Sequence, residues 1–247
     1  MPRSSQQSAA DALEAVHESI ARAATVAGRK AGDVTLIAIS KTHSAEAIRP
    51  LIAAGQRHFG ENRVQEAQDK WPELKAQTPD IVLHLVGQLQ SNKAADAVAL
   101  FDVIHSLDRS SLVDALAKAM DKAARRILCF VQVNIGDEPQ KGGCAIADLP
   151  ALLAQARAAD IPIAGLMAVP PHKRFQQKWE PVLRPEARQA DEAESAPYFA
   201  LLAKLARENG LSGLSMGMSG DFETAVMLGA THVRVGSALF GDRNYSG

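Results

Sequence analysis

Three places in this chain combine residue types and spacing that could do chemistry: one lysine and two glycine–serine runs. Lys41 follows the apolar run 34–39 and Ser40. A lysine kept partly from water has its ammonium form destabilised, which frees a neutral amine to attack an aldehyde and form a Schiff base. Position alone favours a lysine whose stem packs at a strand end while its ammonium reaches solvent. The first run, residues 215–221 (SMGMSGD), lies between a β-like and a helical pattern. Gly217 and Gly220 let backbone approach an anion, Ser219 offers a hydroxyl, and the following helix begins with unpaired N–H groups. The second run is 234–237 (RVGS), where Gly236 and Ser237 add more donors beside Arg234. Each run alone reads better as a turn with a helix cap. Side by side they favour a phosphate.

These groups need a frame. Apolar runs near 34–39, 58–60, 81–86, 103–106, 126–133, 163–167, 214–216 and 232–235 alternate with helical periodicity, after a first helix over 9–27. Strand followed by helix, eight times, with no hairpin signal, predicts a parallel sheet. Eight such units in one domain of 247 residues most economically form a (β/α)8 TIM-type barrel with an extra N-terminal helix, although an open doubly wound sheet satisfies the same pattern. In a barrel, the strand ends collect Lys41, Asn62, the segment 88–93, Asn134, Met167 and both glycine runs on one face. The stretch 172–195 breaks the rhythm with two prolines, a basic half and an acidic half, and is expected to be a flexible insertion before a helix over 197–209.

Other candidates carry plainer readings. Glu61 and Glu66 are carboxylates of the general acid or base type, with Glu66 expected on the solvated face of a helix. His84 and His105 lie in apolar runs and read as core or lumen histidines. No two of the seven histidines have helical metal-ligand spacing, so no metal is expected. Cys129 reads as a small core residue and Cys144 as a loop thiol, with no disulfide framework. A formal net charge of -1 argues against a nucleic-acid or membrane-surface binder. The polar first eight residues show no signal-peptide pattern, and no run approaches the roughly twenty apolar residues of a bilayer span. A cytoplasmic location is expected.

With these residues in place, the chain resembles the pyridoxal phosphate homeostasis protein family. The resemblance is carried by residues 36–42 (LIAISKT), 59–66 (FGENRVQE), 84–93 (HLVGQLQSNK), 165–170 (GLMAVP), 214–221 (LSMGMSGD) and 232–241 (HVRVGSALFG). It implies a barrel like the N-terminal domain of alanine racemase, with pyridoxal 5′-phosphate bound as a Schiff base to Lys41. Ser219, Gly236 and Ser237 would bind the phosphate, Arg234 would face the pyridine nitrogen, and Asn62 would lie beside the cofactor. Met167 would line the ring or belong to the core. The stretch 172–195 is longer than the usual connection in that family.

Three functions are weighed. A carrier or reservoir would hold the cofactor at Lys41 and yield it to apo-enzymes or free amines, serving cellular pyridoxal phosphate homeostasis. An amino-acid racemase needs an acid–base group on each face of its substrate; alanine racemases draw one from a tyrosine on a second domain, and neither Tyr198 nor Tyr245 follows such a domain. A lysine-dependent aldolase fits the barrel and phosphate loops but explains neither Arg234 nor the family stretches. The carrier reading is favoured over catalysis, with low racemase activity as its alternative. Its partners would be pyridoxal phosphate and apo forms of enzymes that use it, and the protein would be a monomer or weak dimer.

Overall fold

Short strands of three to five residues, each followed by a helix, cannot pair as hairpins. They line up in parallel instead, because each crossover helix returns the chain to the same edge. The computed structural model, which describes residues 5–171 and 185–241, shows this arrangement. Its main elements in chain order are α1 (Ser5–Val26), β1 (Thr35–Ile39), α2 (Ala45–Ala53), β2 (His58–Glu61), α3 (Val64–Gln77), β3 (Val82–Leu85), α4 (Ala94–Leu100), β4 (Val103–Leu107) and α5 (Ser110–Ala123). They continue with β5 (Leu128–Gln132), α6 (Leu149–Ala158), β6 (Ile163–Met167), α7 (Pro185–Glu208), β7 (Gly213–Ser215), α8 (Phe222–Met227), β8 (His232–Val235) and α9 (Ser237–Phe240). Strands pair in chain order, and β8 returns to β1 with Thr35 opposite His232 and Ala38 opposite Val235. The sheet is therefore a closed (β/α)8 barrel, and the open alternative falls.

Closure divides the apolar side chains into two layers, since successive strand residues point to opposite faces. Leu36, Ala38, Phe59, Leu83 and Leu85 belong to the large outer core between strands and helices. Val103, Phe130 and Met167 form a separate inner cluster, with Val82, Ala164 and Val169 packed against it. Helix α3 shows how sequence period becomes packing. Val64, Ala67, Trp71 and Leu74 recur at helical spacing and are all buried. Each large apolar side chain buried this way stabilises the fold by about 1.5–3 kcal/mol before entropy is counted. The extra helix α1 buries Leu13, Val16, Ile20 and Ala24 and packs against α2 and α8. Among the described residues, no helix is long and apolar enough to cross a membrane.

The largest departure from the sequence reading is at α7. It runs from Pro185, whereas a helix starting at 197 was expected, and Pro197 lies inside it. An interior proline removes one backbone hydrogen bond and so reads as a boundary. Residues 185–195 of the expected flexible insertion are thus helical, while 172–184 lie outside the described residues.

Candidate functional site

Lys41 enters the site through the alternation of β1. Ile39 and Lys41 both line a cavity at the C-terminal ends of the strands. Ser40, between them, turns the other way and donates its hydroxyl to Glu61 Oε1 at 2.6 Å. The loop is then fastened from α3. Lys70 Nζ donates to the carbonyls of Ser40 at 2.9 Å and His43 at 3.0 Å, and Glu66 accepts the N–H of Thr42. Thr42 adopts a φ of 66°, a costly left-handed conformation for a β-branched residue. Its N–H bond to Glu66 holds it there. Glu66 is therefore a loop anchor, whereas a solvated helix face was expected. Glu61 does not line the cavity: it is buried in the outer layer, where Trp71 Nε1 also donates to it at 3.0 Å.

Asn62 reaches the cavity from the turn after β2. The loop after β3 lies so close that a Cβ on Gly87 would sit 2.2 Å from the Asn62 carbonyl oxygen. Only glycine permits that approach.

The two glycine runs complete the wall, the second beside Lys41, because β8 pairs with β1. Gly217 has a φ of +91°, and a Cβ there would come within 2.6 Å of Ala225 Cβ. Asp221 braces the first run by accepting the N–H of Met218 at 2.7 Å and the hydroxyl of Ser195 at 2.8 Å. The runs are tied together where Gly236 N–H donates to Ser219 Oγ at 3.2 Å. Arg234, 5% exposed, donates through Nη1 to Ser215 Oγ at 2.8 Å and through Nη2 to the Ala168 carbonyl at 3.0 Å. Burial draws its pKa down to about 10, with Asp221 working in the opposite direction. It remains a cation at neutral pH.

The resulting cavity is about 400 Å³, within the roughly 300–1,000 Å³ typical of small-molecule sites. Lys41, Asn62, Ser219, Arg234, Gly236 and Ser237 all line it. Met167 does not; it packs in the inner cluster with Val103 and Phe130. The sequence reading did not single out Val86, Val169 and Met218 in the wall, nor His43, which stacks on Phe240 with centroids 4.3 Å apart. Val86, Val169 and Met218 sat within stretches that carry the family resemblance, whereas His43 lies one residue beyond such a stretch and was not named.

The remaining candidates lie elsewhere. Asn134 closes its own turn, donating to the Glu138 carbonyl at 2.9 Å. Cys129 and Cys144 are both buried, and burial pushes each thiol up to about 12. Cys144 is thus set into the structure beside Val133, where a loop thiol was expected. His84 and His105 are lumen histidines, bonded to each other at 2.9 Å.

A lysine, hydroxyls, glycine backbone and an arginine in the lining of one cavity suit a small anion that carries an aldehyde. Comparison with known proteins points the same way. The family model described as alanine racemase, N-terminal domain, matches residues 12–244. The pyridoxal phosphate homeostasis protein of Pseudomonas aeruginosa is 40% identical over 239 residues, covering 96% of each chain. That of Escherichia coli is 39% identical over 241 residues, 95% of this chain and 96% of its own. PipY of Synechococcus elongatus, solved with PLP bound, superposes with a TM-score of 0.72 at 40% identity, covering 90% of this chain and 100% of that one.

Proposed function

This chain belongs to the pyridoxal phosphate homeostasis protein family, built on the alanine racemase N-terminal domain, and we propose that it holds pyridoxal 5′-phosphate in the cavity at the strand ends. The observation that carries the reading is the shared wall: Lys41, Ser219, Gly236 and Ser237 all line one cavity. The donor set fits the group. When bound, the cofactor supplies an aldehyde that condenses reversibly with an amine, forming a C=N bond and releasing water.

Lys41 provides that amine, presented by a loop fixed from beneath by Lys70 and Glu66. Ser219, Gly236 and Ser237 would receive the phosphate, and Asn62 would lie beside the ring. Arg234, which lines the cavity, would face the pyridine nitrogen. A cation there opposes protonation of the ring and weakens it as an electron sink. Met167 supports the lumen below the cavity. Tight but reversible holding with damped chemistry suits a carrier or reservoir that yields the cofactor to apo-enzymes, and the names of the relatives support a role in homeostasis.

The test is borohydride reduction of the protein loaded with pyridoxal 5′-phosphate, followed by peptide mass mapping. A pyridoxyl adduct on Lys41 is expected. Lys41→Ala should lose it yet keep part of the non-covalent affinity, because the phosphate donors do not depend on the lysine. An adduct on Lys93 or Lys141 instead, or none, overturns the reading. The carrier role is tested by mixing the loaded protein with an apo form of an enzyme that uses the cofactor and following recovery of its activity.

A further inference from the structure

A line of polar side chains crosses the apolar lumen from the start of β2 to the cavity wall. His58 opens β2, His84 and His105 lie inside β3 and β4, Ser215 ends β7, and Arg234 lies inside β8. His58 Nδ1 is 3.0 Å from His84 Nε2. His84 Nδ1 is 2.9 Å from His105 Nε2, and His105 Nδ1 is 2.9 Å from Ser215 Oγ. Arg234 Nη1 donates to that same hydroxyl oxygen at 2.8 Å. His84, His105 and Ser215 are buried, and His105 lies flat on Phe130 with centroids 4.5 Å apart. Buried imidazoles are costly unless each nitrogen finds a partner. Here each of the two inner rings is satisfied at both nitrogens by its neighbours in the line.

One end of the line sets its direction. A guanidinium donates and never accepts, so Ser215 Oγ must accept from Arg234. The Ser215 hydrogen is then free for His105 Nδ1, and among the described residues the structure gives it no other acceptor. His105 consequently carries its hydrogen on Nε2 and donates to His84 Nδ1. His84 likewise carries its hydrogen on Nε2 and donates to His58 Nδ1. The reverse polarity would leave Ser215 accepting twice with its own hydrogen buried and unpaired. Nor does the line serve as a proton wire to the site, since a guanidinium does not give up its proton in the working range.

We infer that His105 and Ser215, backed by His84 and His58, are positioning residues whose one-way hydrogen-bond line keeps Ser215 turned as an acceptor toward Arg234 and so fixes the guanidinium as the charged wall of the cavity. The consequence for the cofactor rests on the proposed function; the polarity of the line does not. The electrostatics agree. Burial holds His84 and His105 well below the usual histidine range, with His58 and His232 adding at His84, and His84, His232 and Arg234 adding at His105. A charged His105 would carry hydrogens on both nitrogens, could not accept from Ser215, and would meet the like charge of Arg234.

Nitrogen-15 NMR of the histidine rings in the full-length protein, recorded without cofactor between pH 6 and 8, tests the polarity. His84 and His105 are expected as neutral rings protonated on Nε2. Protonation of His105 on Nδ1, or a charged ring, overturns the inference. The second arm titrates pyridoxal 5′-phosphate against Ser215→Ala and Ser215→Thr. Losing one acceptor of a charged donor should weaken binding about tenfold, and the retained hydroxyl of threonine should bring it back to within about threefold. In Ser215→Ala the His105 ring should also lose its single-tautomer signature, which a merely structural role would not require. Unchanged affinity in Ser215→Ala overturns the positioning role. A wild-type protein that binds no cofactor would instead sink the proposed function, and the tautomer result would still decide the line.

Discussion

Lys70 Nζ stands 2.9 Å from the Glu61 carboxylate, with 9% and 0% of the two side chains exposed. The pair lies directly beneath the loop that carries Lys41, and the same ammonium also donates to the carbonyls of Ser40 and His43. One buried cation thus neutralises a strand-end carboxylate and fastens the reactive loop. Taking two charges from water is expensive, and only this dense set of partners offsets it.

Lys70→Met should therefore be severe. It strands Glu61 as a buried, unpaired carboxylate, and breaking a buried pair from one side costs about 3–5 kcal/mol. Urea unfolding should show that loss, and the protein that remains folded should form less of the Lys41 adduct. Lys204→Met, which removes an exposed pair with Glu208 on α7, should shift stability by no more than about 0.5 kcal/mol. Comparable losses in the two variants would show that the clamp contributes nothing special.

Neither cysteine should react in the native protein. With both thiols pushed up to about 12 by burial, only about one molecule in ten thousand carries thiolate at pH 8. Alkylation by iodoacetamide should be slow until urea is added, then rise more than about a thousandfold. Rapid labelling of Cys144 in the folded state would contradict its place beside Val133.

What could be read ahead of the structure follows from where information resides in a chain. Lys41 and Ser237 were legible because an eight-unit barrel places every strand end on one face, so position along the chain implies position in space. The partners that fix them were not. Lys70 sits on α3, far in sequence from the loop it holds, and its spacing to Glu66 reads as an ordinary helical pair. Ser215 drew attention as part of a phosphate run, while its bonds run down into the lumen to His105 and across to Arg234. Met167 ends a strand, as a cavity residue should, yet packs in the inner cluster with Val103 and Phe130. Pro197 misled about α7 for a different reason: an interior proline imitates a boundary, yet the helix runs through it from Pro185.

Acid should weaken the fold in a window set by the lumen histidines. Burial foremost, with His58 and Arg234 adding, draws His232 down to about 4, and burial likewise lowers His58, His84 and His105. The unfolded chain titrates near the ordinary value of about 6.5, so it binds more protons than the native state at any pH between the two. Stability is then fully present above about pH 6.5 and is lost as pH falls toward 4, His232 alone contributing about 2 kcal/mol of loss by pH 5. Urea midpoints at pH 7.5, 6.5 and 5 should be level, then slightly lower, then clearly lower. A midpoint unchanged between pH 7 and 5 would mean that these rings titrate normally.

Gly217, in the loop expected to receive phosphate, and Gly229, in the turn after α8, separate strain from shape. Gly217 and Gly229 both have left-handed backbones, with φ of +91° and +102°. An alanine at either position costs about 1–2 kcal/mol in strain alone. Their surroundings differ. A Cβ on Gly229 would find Leu214 Cδ1 at 3.5 Å, an ordinary contact, while one on Gly217 would press to 2.6 Å from Ala225 Cβ and 3.0 Å from Phe222 Cα. Overpacking adds about 1–3 kcal/mol there, and relief requires the run to lift from α8. That movement would carry Ser219 with it and disturb the bond from Arg234 N–H to the Gly217 carbonyl, now 3.0 Å. Gly229→Ala should thus lower stability while leaving affinity for pyridoxal 5′-phosphate unchanged, and Gly217→Ala should lower both. Urea unfolding paired with equilibrium dialysis reads the two effects separately. If Gly217→Ala binds the cofactor as well as Gly229→Ala does, the run 215–221 is not where the phosphate sits.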